Sequence, residues 1–224
     1  TRSKAAVYAE GRQKMAEVEA RGVDLATGHG EQIWDLNPQL AAKVNGLYDD
    51  AKISLWAELT PEFVASVPGA LPLRTLSRDR NDYIAHPATG EMLSPDSLAM
   101  LERLRDSWGS EPPRGQIVIS DGLNAKAIMD EGHLEPYLRE MRRLLGAAGI
   151  AMGDRNIVVT GGRVRAGYRI GETLFAKADP DSFRGILHVI GERPGTVHHA
   201  YSVYITVARG RAWTERKIDH DITK

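Results

Sequence analysis

The stretch Ile186-Leu187-His188-Val189-Ile190-Gly191-Glu192-Arg193-Pro194-Gly195 decides how this chain is read. It opens as a short apolar run, the mark of a strand buried on both faces. It stops at glycine, and Pro194-Gly195 forces a turn. A carboxylate, Glu192, and a guanidinium, Arg193, are thereby set at the carboxyl end of a central strand. In open α/β sheets ligands bind at that edge. The plain alternative is a structural Glu-Arg pair that closes the turn. A second run, Ser202-Val203-Tyr204-Ile205-Thr206-Val207, follows at once.

Working outward, the spacing predicts four strands, at 116–120, 156–160, 186–190 and 201–207. Between the first two, Leu134, Leu138, Met141, Leu145 and Ala148 keep helical spacing, with Arg139, Arg142 and Arg143 toward solvent and Gly149 as the stop. A short helix over 168–177 and a turn at Asp179-Pro180-Asp181 precede the third strand. This alternation predicts an α/β fold with a mainly parallel, Rossmann-like sheet covered on both faces, over residues 115–224.

Residues 1–110 read as a mostly helical N-terminal extension. A helix is expected over 4–21, with Val7, Met15 and Val18 on one thin apolar face, and residues 1–44 form a candidate partner-binding arm. Residues 22–37 read as a loop. Asn37-Pro38 opens a helix to about residue 58, carried by Leu40, Val44, Leu47, Ala51 and Leu55. Thr60-Pro61 starts a short helix over 61–66. Residues 68–93 read as loop with a small hairpin, and Ser94-Pro95 opens a helix with Leu98, Leu101 and Leu104 inward. Glu111-Pro112-Pro113-Arg114-Gly115 reads as a linker.

Composition excludes several classes. Lys plus Arg is 29 and Asp plus Glu is 30, so binding to nucleic acid or an anionic membrane by bulk charge is not expected. With no cysteine, disulfides, thiolate metal sites and a cysteine nucleophile are ruled out. No apolar run is long enough for a membrane-spanning helix. The first residues lead into charge and alanine, unlike a signal peptide.

Two further strand ends carry candidate chemistry. Asp121-Gly122 follows the first strand, and Asn124 is placed to cap the next helix; a helix start of this kind holds an anion or is simply capped. Gly161-Gly162-Arg163-Val164 ends the second strand, where paired glycines allow a ligand near the backbone. Neither a P-loop nor a Gly-x-Gly-x-x-Gly fingerprint follows any strand. His198 and His199 are adjacent and cannot chelate one metal from a strand. His188 reads as a hydrogen-bonded core histidine. No nucleophile-base-acid set is apparent, which places catalytic groups outside this chain.

Four segments together resemble the small subunit of ethanolamine ammonia-lyase. They are Gly191-Glu192-Arg193-Pro194-Gly195; Ile117 through Ala125; Gly162-Arg163-Val164 with Ile170-Gly171-Glu172; and Asp82-Tyr83-Ile84 with Pro87 and Gly90. They occur in the family's order, from about residue 45 to about 207. The resemblance implies adenosylcobalamin as cofactor and conversion of ethanolamine to acetaldehyde and ammonia. It also implies a large barrel subunit, or an equivalent fused domain, that carries the substrate. Val164 and Glu192 match the family's cofactor contacts, and Gly162, Arg193 and Asp121 stand beside them as cofactor-binding candidates. The implied setting is the bacterial cytoplasm, more narrowly a microcompartment. The chain departs from the family at Thr160-Gly161 and at His198-His199-Ala200-Tyr201-Ser202, and Asp219-His220-Asp221-Ile222 matches the family's third contact segment poorly. A non-catalytic cobalamin- or nucleotide-binding module and a purely structural partner subunit remain the alternatives.

Overall fold

The computed structural model describes residues 2–23, 25, 36, 38–130, 132–193 and 200–219. They fall into two compact units, residues 1–49 and 50–224. The first holds α1 (Lys4–Glu19), whose N-terminus is capped by the Ser3 hydroxyl accepting from the Ala6 N–H. Helix α2 (Pro38–Trp56) runs across the boundary in sequence. Asn37, His198 and His199 lie outside the described residues, as does most of the segment read as the 22–37 loop.

The second unit is built on five strands: β1 (Ala70–Arg74), β2 (Gly115–Ser120), β3 (Met152–Thr160), β4 (Phe183–Gly191) and β5 (Tyr201–Arg209). Their order across the sheet is β1-β3-β2-β4-β5. The first three pairings are parallel, with Ile119 opposite both Val158 and Val189, and β4 with β5 is antiparallel. The α/β reading and the mostly parallel sheet hold. The last strand does not extend the parallel pattern, because the few residues between β4 and β5 are too short for a crossover.

Helices α3 (Pro61–Ser66), α4 (Arg80–Ala85) and α5 (Pro95–Ser107) precede β2, with a 3-10 turn at Pro87–Gly90. Thr60 and Ser94 cap α3 and α5 through their hydroxyls. Helices α6 (Ala125–Met129) and α7 (Leu134–Ala147) join β2 to β3, α8 (Val164–Leu174) joins β3 to β4, and α9 (Gly210–Thr214) follows β5. No described helix is long and apolar enough to cross a membrane.

Every residue of β2 is buried, because helices cover both faces of the sheet. On one face Ile117, Ile119, Val158 and Val189 pack with Ile128 of α6 and Leu134 and Leu138 of α7. On the other, Val118, Ile157, Val159 and Ile186 pack with Leu101 of α5, Ile170 and Leu174 of α8, and Trp213 of α9. Neighbouring strands β2 and β3 therefore feed helices on opposite faces, and a crevice opens beyond their carboxyl ends.

Three local expectations differ from the structure. Residues 68–93 contain β1 and α4, and the ends of the segment meet in a single antiparallel bridge between Thr75 and Leu93 rather than in a regular hairpin. β1 is an edge strand, and its outer side is closed. Pro72 has no N–H, the Arg74 N–H is taken by the Ser97 hydroxyl, and the Ala70 carbonyl by Arg155. That is how an edge strand tolerates proline. Helix α8 begins four residues before the expected 168, without a side-chain cap. Arg142 turns inward and donates to the Gly153 and Arg155 carbonyls and to Asn156.

Candidate functional site

Asp121 leaves β2 directly into the crevice. Its side chain is fully buried. One carboxylate oxygen accepts from the Gly161 N–H at 3.1 Å, the other from the Gly162 N–H at 3.0 Å. Arg80 stands 3.7 Å away. That arginine also donates to the Leu55 and Gly122 carbonyls. Burial pushes the Asp121 carboxyl up to about 6, although Arg80 and the two amides favour the charged form. The crevice is thus plugged by a carboxylate that ties the end of β2 to the end of β3. Gly161 needs its left-handed backbone, at φ 71°. A side chain on Gly162 would strike Ser120.

One strand over, Gly122 turns the chain with φ 53°. The Leu123 N–H donates to the Gly191 carbonyl, and a Cβ on Gly122 would sit 2.3 Å from that oxygen. This approach brings the exits of β2 and β4 together. Asn124 then caps α6, accepting from the Ala127 N–H at 3.1 Å. Glu192 leaves β4 with its carboxylate held at both oxygens. One accepts from the Arg193 N–H at 3.0 Å and the other from the Ser202 hydroxyl on β5 at 2.7 Å. Among the described residues it forms no ion pair with the Arg193 guanidinium.

A cleft of about 170 Å³ lies at this edge, bordered by Gly122, Leu123, Ile190 and Gly191, by Glu192 and Arg193, by Arg163 and Val164 at the start of α8, and by Tyr83 and Tyr204. Of the five residues singled out from sequence, Val164, Glu192 and Arg193 meet on its wall. Asp121 and Gly162 stand behind it, in the plugged crevice. A larger hollow of about 750 Å³ runs beside β1, between Val64 of α3 and Met100 of α5. The smaller cleft is the better candidate, because charged groups and glycine backbone from several strand ends converge on it.

Sequence reading did not pick out Arg80 and Arg163. Both guanidiniums lie 4.4 Å from the centroid of the Tyr83 ring, and Arg163 donates to the Tyr83 carbonyl at 2.8 Å. Burial, and then the Asp121 charge, push the Tyr83 hydroxyl up to about 12. The only available signal was that Tyr83 and Arg163 fall within segments of the family resemblance.

Beneath Val164, the buried His188 ring bonds the Ser120 hydroxyl through Nε2 at 2.7 Å. Burial pulls the ring down to about 4, opposed by the nearby Val164 carbonyl, although that contact does not complete a hydrogen bond at Nδ1. His188 is thus a neutral core histidine, as its apolar strand predicted.

The strand ends of this α/β fold border a cleft, and among the described residues no catalytic set lies on it. Comparison with known proteins gives the family. The family model described as ethanolamine ammonia-lyase light chain (EutC) matches residues 12–220. A protein of Bradyrhizobium diazoefficiens named ethanolamine ammonia-lyase small subunit is 33% identical over 164 residues, covering 70% of this chain. The chain belongs to the ethanolamine ammonia-lyase light-chain family. It spans 58% of that relative's length.

Proposed function

We propose that this chain acts as the small subunit, or the equivalent region of a fused chain, of an adenosylcobalamin-dependent ethanolamine ammonia-lyase. In this reading the cleft at the ends of β2 and β4 takes one margin of the cofactor. A large subunit takes the rest, together with ethanolamine. The observation that carries the reading is the meeting of Val164, Glu192 and Arg193 on one wall. The family membership and the four matching segments support it.

The residues present fit part of such a cofactor. A corrin is a largely apolar ring carrying amide arms. Val164, Leu123 and Ile190 offer apolar contact, and the lone pairs of Glu192 left over from its two donors can accept from an arm amide. The cleft, at about 170 Å³, is well under the roughly 300–1,000 Å³ of pockets that enclose a whole drug-sized ligand. It suits an arm or a ring margin, which supports the need for a second protein surface.

The cofactor supplies radical chemistry when bound; the protein's task is to hold and orient it. Here that task divides clearly. Glu192, already oriented by Ser202, would accept from the ligand without reorganising. Val164 would exclude water from the ring face. Asp121 and Gly162 would keep α8 and the exit of β3 in place. The Rossmann-like description, the cytoplasmic or microcompartment setting and the arm role of residues 1–44 belong to the same proposal.

Val164→Asp tests the reading in the complex reconstituted with a large subunit. Aspartate suits the first turn of a helix, so α8 should survive while the wall gains a charge. Spectral titration with adenosylcobalamin should show at least about a tenfold loss of affinity, equivalent to about 1.4 kcal/mol. Unchanged affinity in a folded complex would remove the cofactor from this cleft.

A further inference from the structure

Arg163 differs from the other cations around the plugged crevice. Arg80 is matched by Asp121 and by two carbonyls. Arg163 has no carboxylate partner among the described residues, and its Nε, like Nη2 of Arg80, is buried without a hydrogen bond. Its guanidinium is nevertheless held, by the Tyr83 carbonyl and the Tyr83 ring. The ring is itself fixed. It is almost wholly buried, Arg80 contacts it, and a Cβ on Gly90 would come within 2.9 Å of it. A charge that stands on a cleft wall, unneutralised but restrained, is a donor prepared for an acceptor from outside the chain.

We propose that Arg163 donates to an oxygen acceptor of the ligand in this cleft, and that Tyr83 is the residue that positions it. The proposal rests on the cofactor reading given above and adds a recognition element to it. The acceptor is a carbonyl oxygen of an amide arm or a phosphate oxygen of the nucleotide tail. Arg163 would be fork-like and planar toward either. Tyr83 acts through Arg163: the flat ring supports the flat guanidinium, and an aliphatic side chain would not.

The test is a double-mutant cycle on cofactor affinity in the reconstituted complex, with thermal stability recorded for each variant. Arg163→Met should lose roughly tenfold or more, the scale of one hydrogen bond from a charged donor. Tyr83→Leu should lose a similar factor, and Tyr83→Phe, which keeps the ring, should bind like wild type. In the double variant Tyr83→Leu should add almost nothing to Arg163→Met, because the residue it positions is gone. A residue with a merely structural role would give independent, multiplying losses, and that result would overturn the positioning role. Should Tyr83→Leu fail to fold, Arg163→Met alone decides: wild-type affinity in a folded complex refutes the proposal. A parallel titration with adenosylcobinamide, which keeps the amide arms and lacks the nucleotide, separates the sources. Loss with both probes assigns the acceptor to an arm, loss with adenosylcobalamin only assigns it to the tail, and loss with neither refutes the proposal. If Arg163→Met is silent while Val164→Asp and Glu192→Gln weaken binding, this inference alone falls. If all three are silent, the cofactor reading falls with it.

Discussion

Replacing Glu192 by glutamine keeps the side chain's shape and removes its charge and one acceptor. In the free chain the cost is small. The carboxylate holds two neutral donors, the Arg193 N–H and the Ser202 hydroxyl. Glutamine can still accept from one of them, and the serine hydroxyl can rotate to accept from the new amide. Losing one such bond at a half-exposed site is worth about 0.5–1.5 kcal/mol. Binding should suffer more. An arm amide donating to a charged carboxylate gains roughly 1.5–3 kcal/mol, and about 1.4 kcal/mol is tenfold in affinity. The expected result is a roughly ten- to hundredfold weaker cofactor titration in the reconstituted complex, with the melting temperature lowered by only a few degrees. Equal affinities with intact folding would take Glu192 out of the site. A large fall in stability with no separate effect on binding would return it to the role of a turn residue.

Three further outcomes follow from the buried groups and the backbone. His188→Gln should keep a bond to Ser120 and lose the titration. The ring's value of about 4 in the folded chain, against an ordinary 6.5, means that the unfolded chain binds more protons between those values. Stability from this group is therefore present above about 6.5 and lost as pH falls toward 4. Relative to wild type, His188→Gln should gain about 2 kcal/mol between pH 7 and pH 5 in urea titrations; a pH-independent difference would contradict the buried neutral ring. Gly122→Ala places a Cβ 2.3 Å from the Gly191 carbonyl at a left-handed φ. It should cost roughly 1–3 kcal/mol, read as a lower denaturation midpoint, and wild-type stability would show that the two strand exits are not in contact. Helix α1, at 16 residues, is near the length at which isolated helices are marginal. Its amides should exchange quickly in the chain alone and slowly in the complex, and equal rates would refute the arm proposal.

The strands that feed the cleft were legible because they are buried on both faces. Ile117-Val118-Ile119 and Ile157-Val158-Val159 show as unbroken apolar runs, Ile186 to Ile190 is interrupted only by His188, and glycine or a charge marks each exit. β1 was not legible. Ala70-Leu71-Pro72-Leu73-Arg74 is short, half-exposed and interrupted by proline, and its edge position makes that tolerable only in the folded sheet. The start of α8 was missed because no serine, threonine, aspartate or asparagine precedes Val164 to signal a cap. For the site, strand-end reasoning found Val164, Glu192 and Arg193. It could not tell the cleft wall from the plugged crevice behind it, since Asp121 and Glu192 look alike as carboxylates at strand ends. What separates them is the pair of glycine amides facing Asp121, 40 and 41 residues further along the chain. The contact between Tyr83 and Arg163 spans 80 residues and has no local signature at all.

The most direct test of the account is ammonia release from ethanolamine with adenosylcobalamin, measured for this chain alone, for a large subunit alone and for the two together. In the proposed reading the strand ends take part of a cofactor, and no catalytic set lies among the described residues. Turnover is expected only from the combination. Turnover by this chain by itself would contradict it.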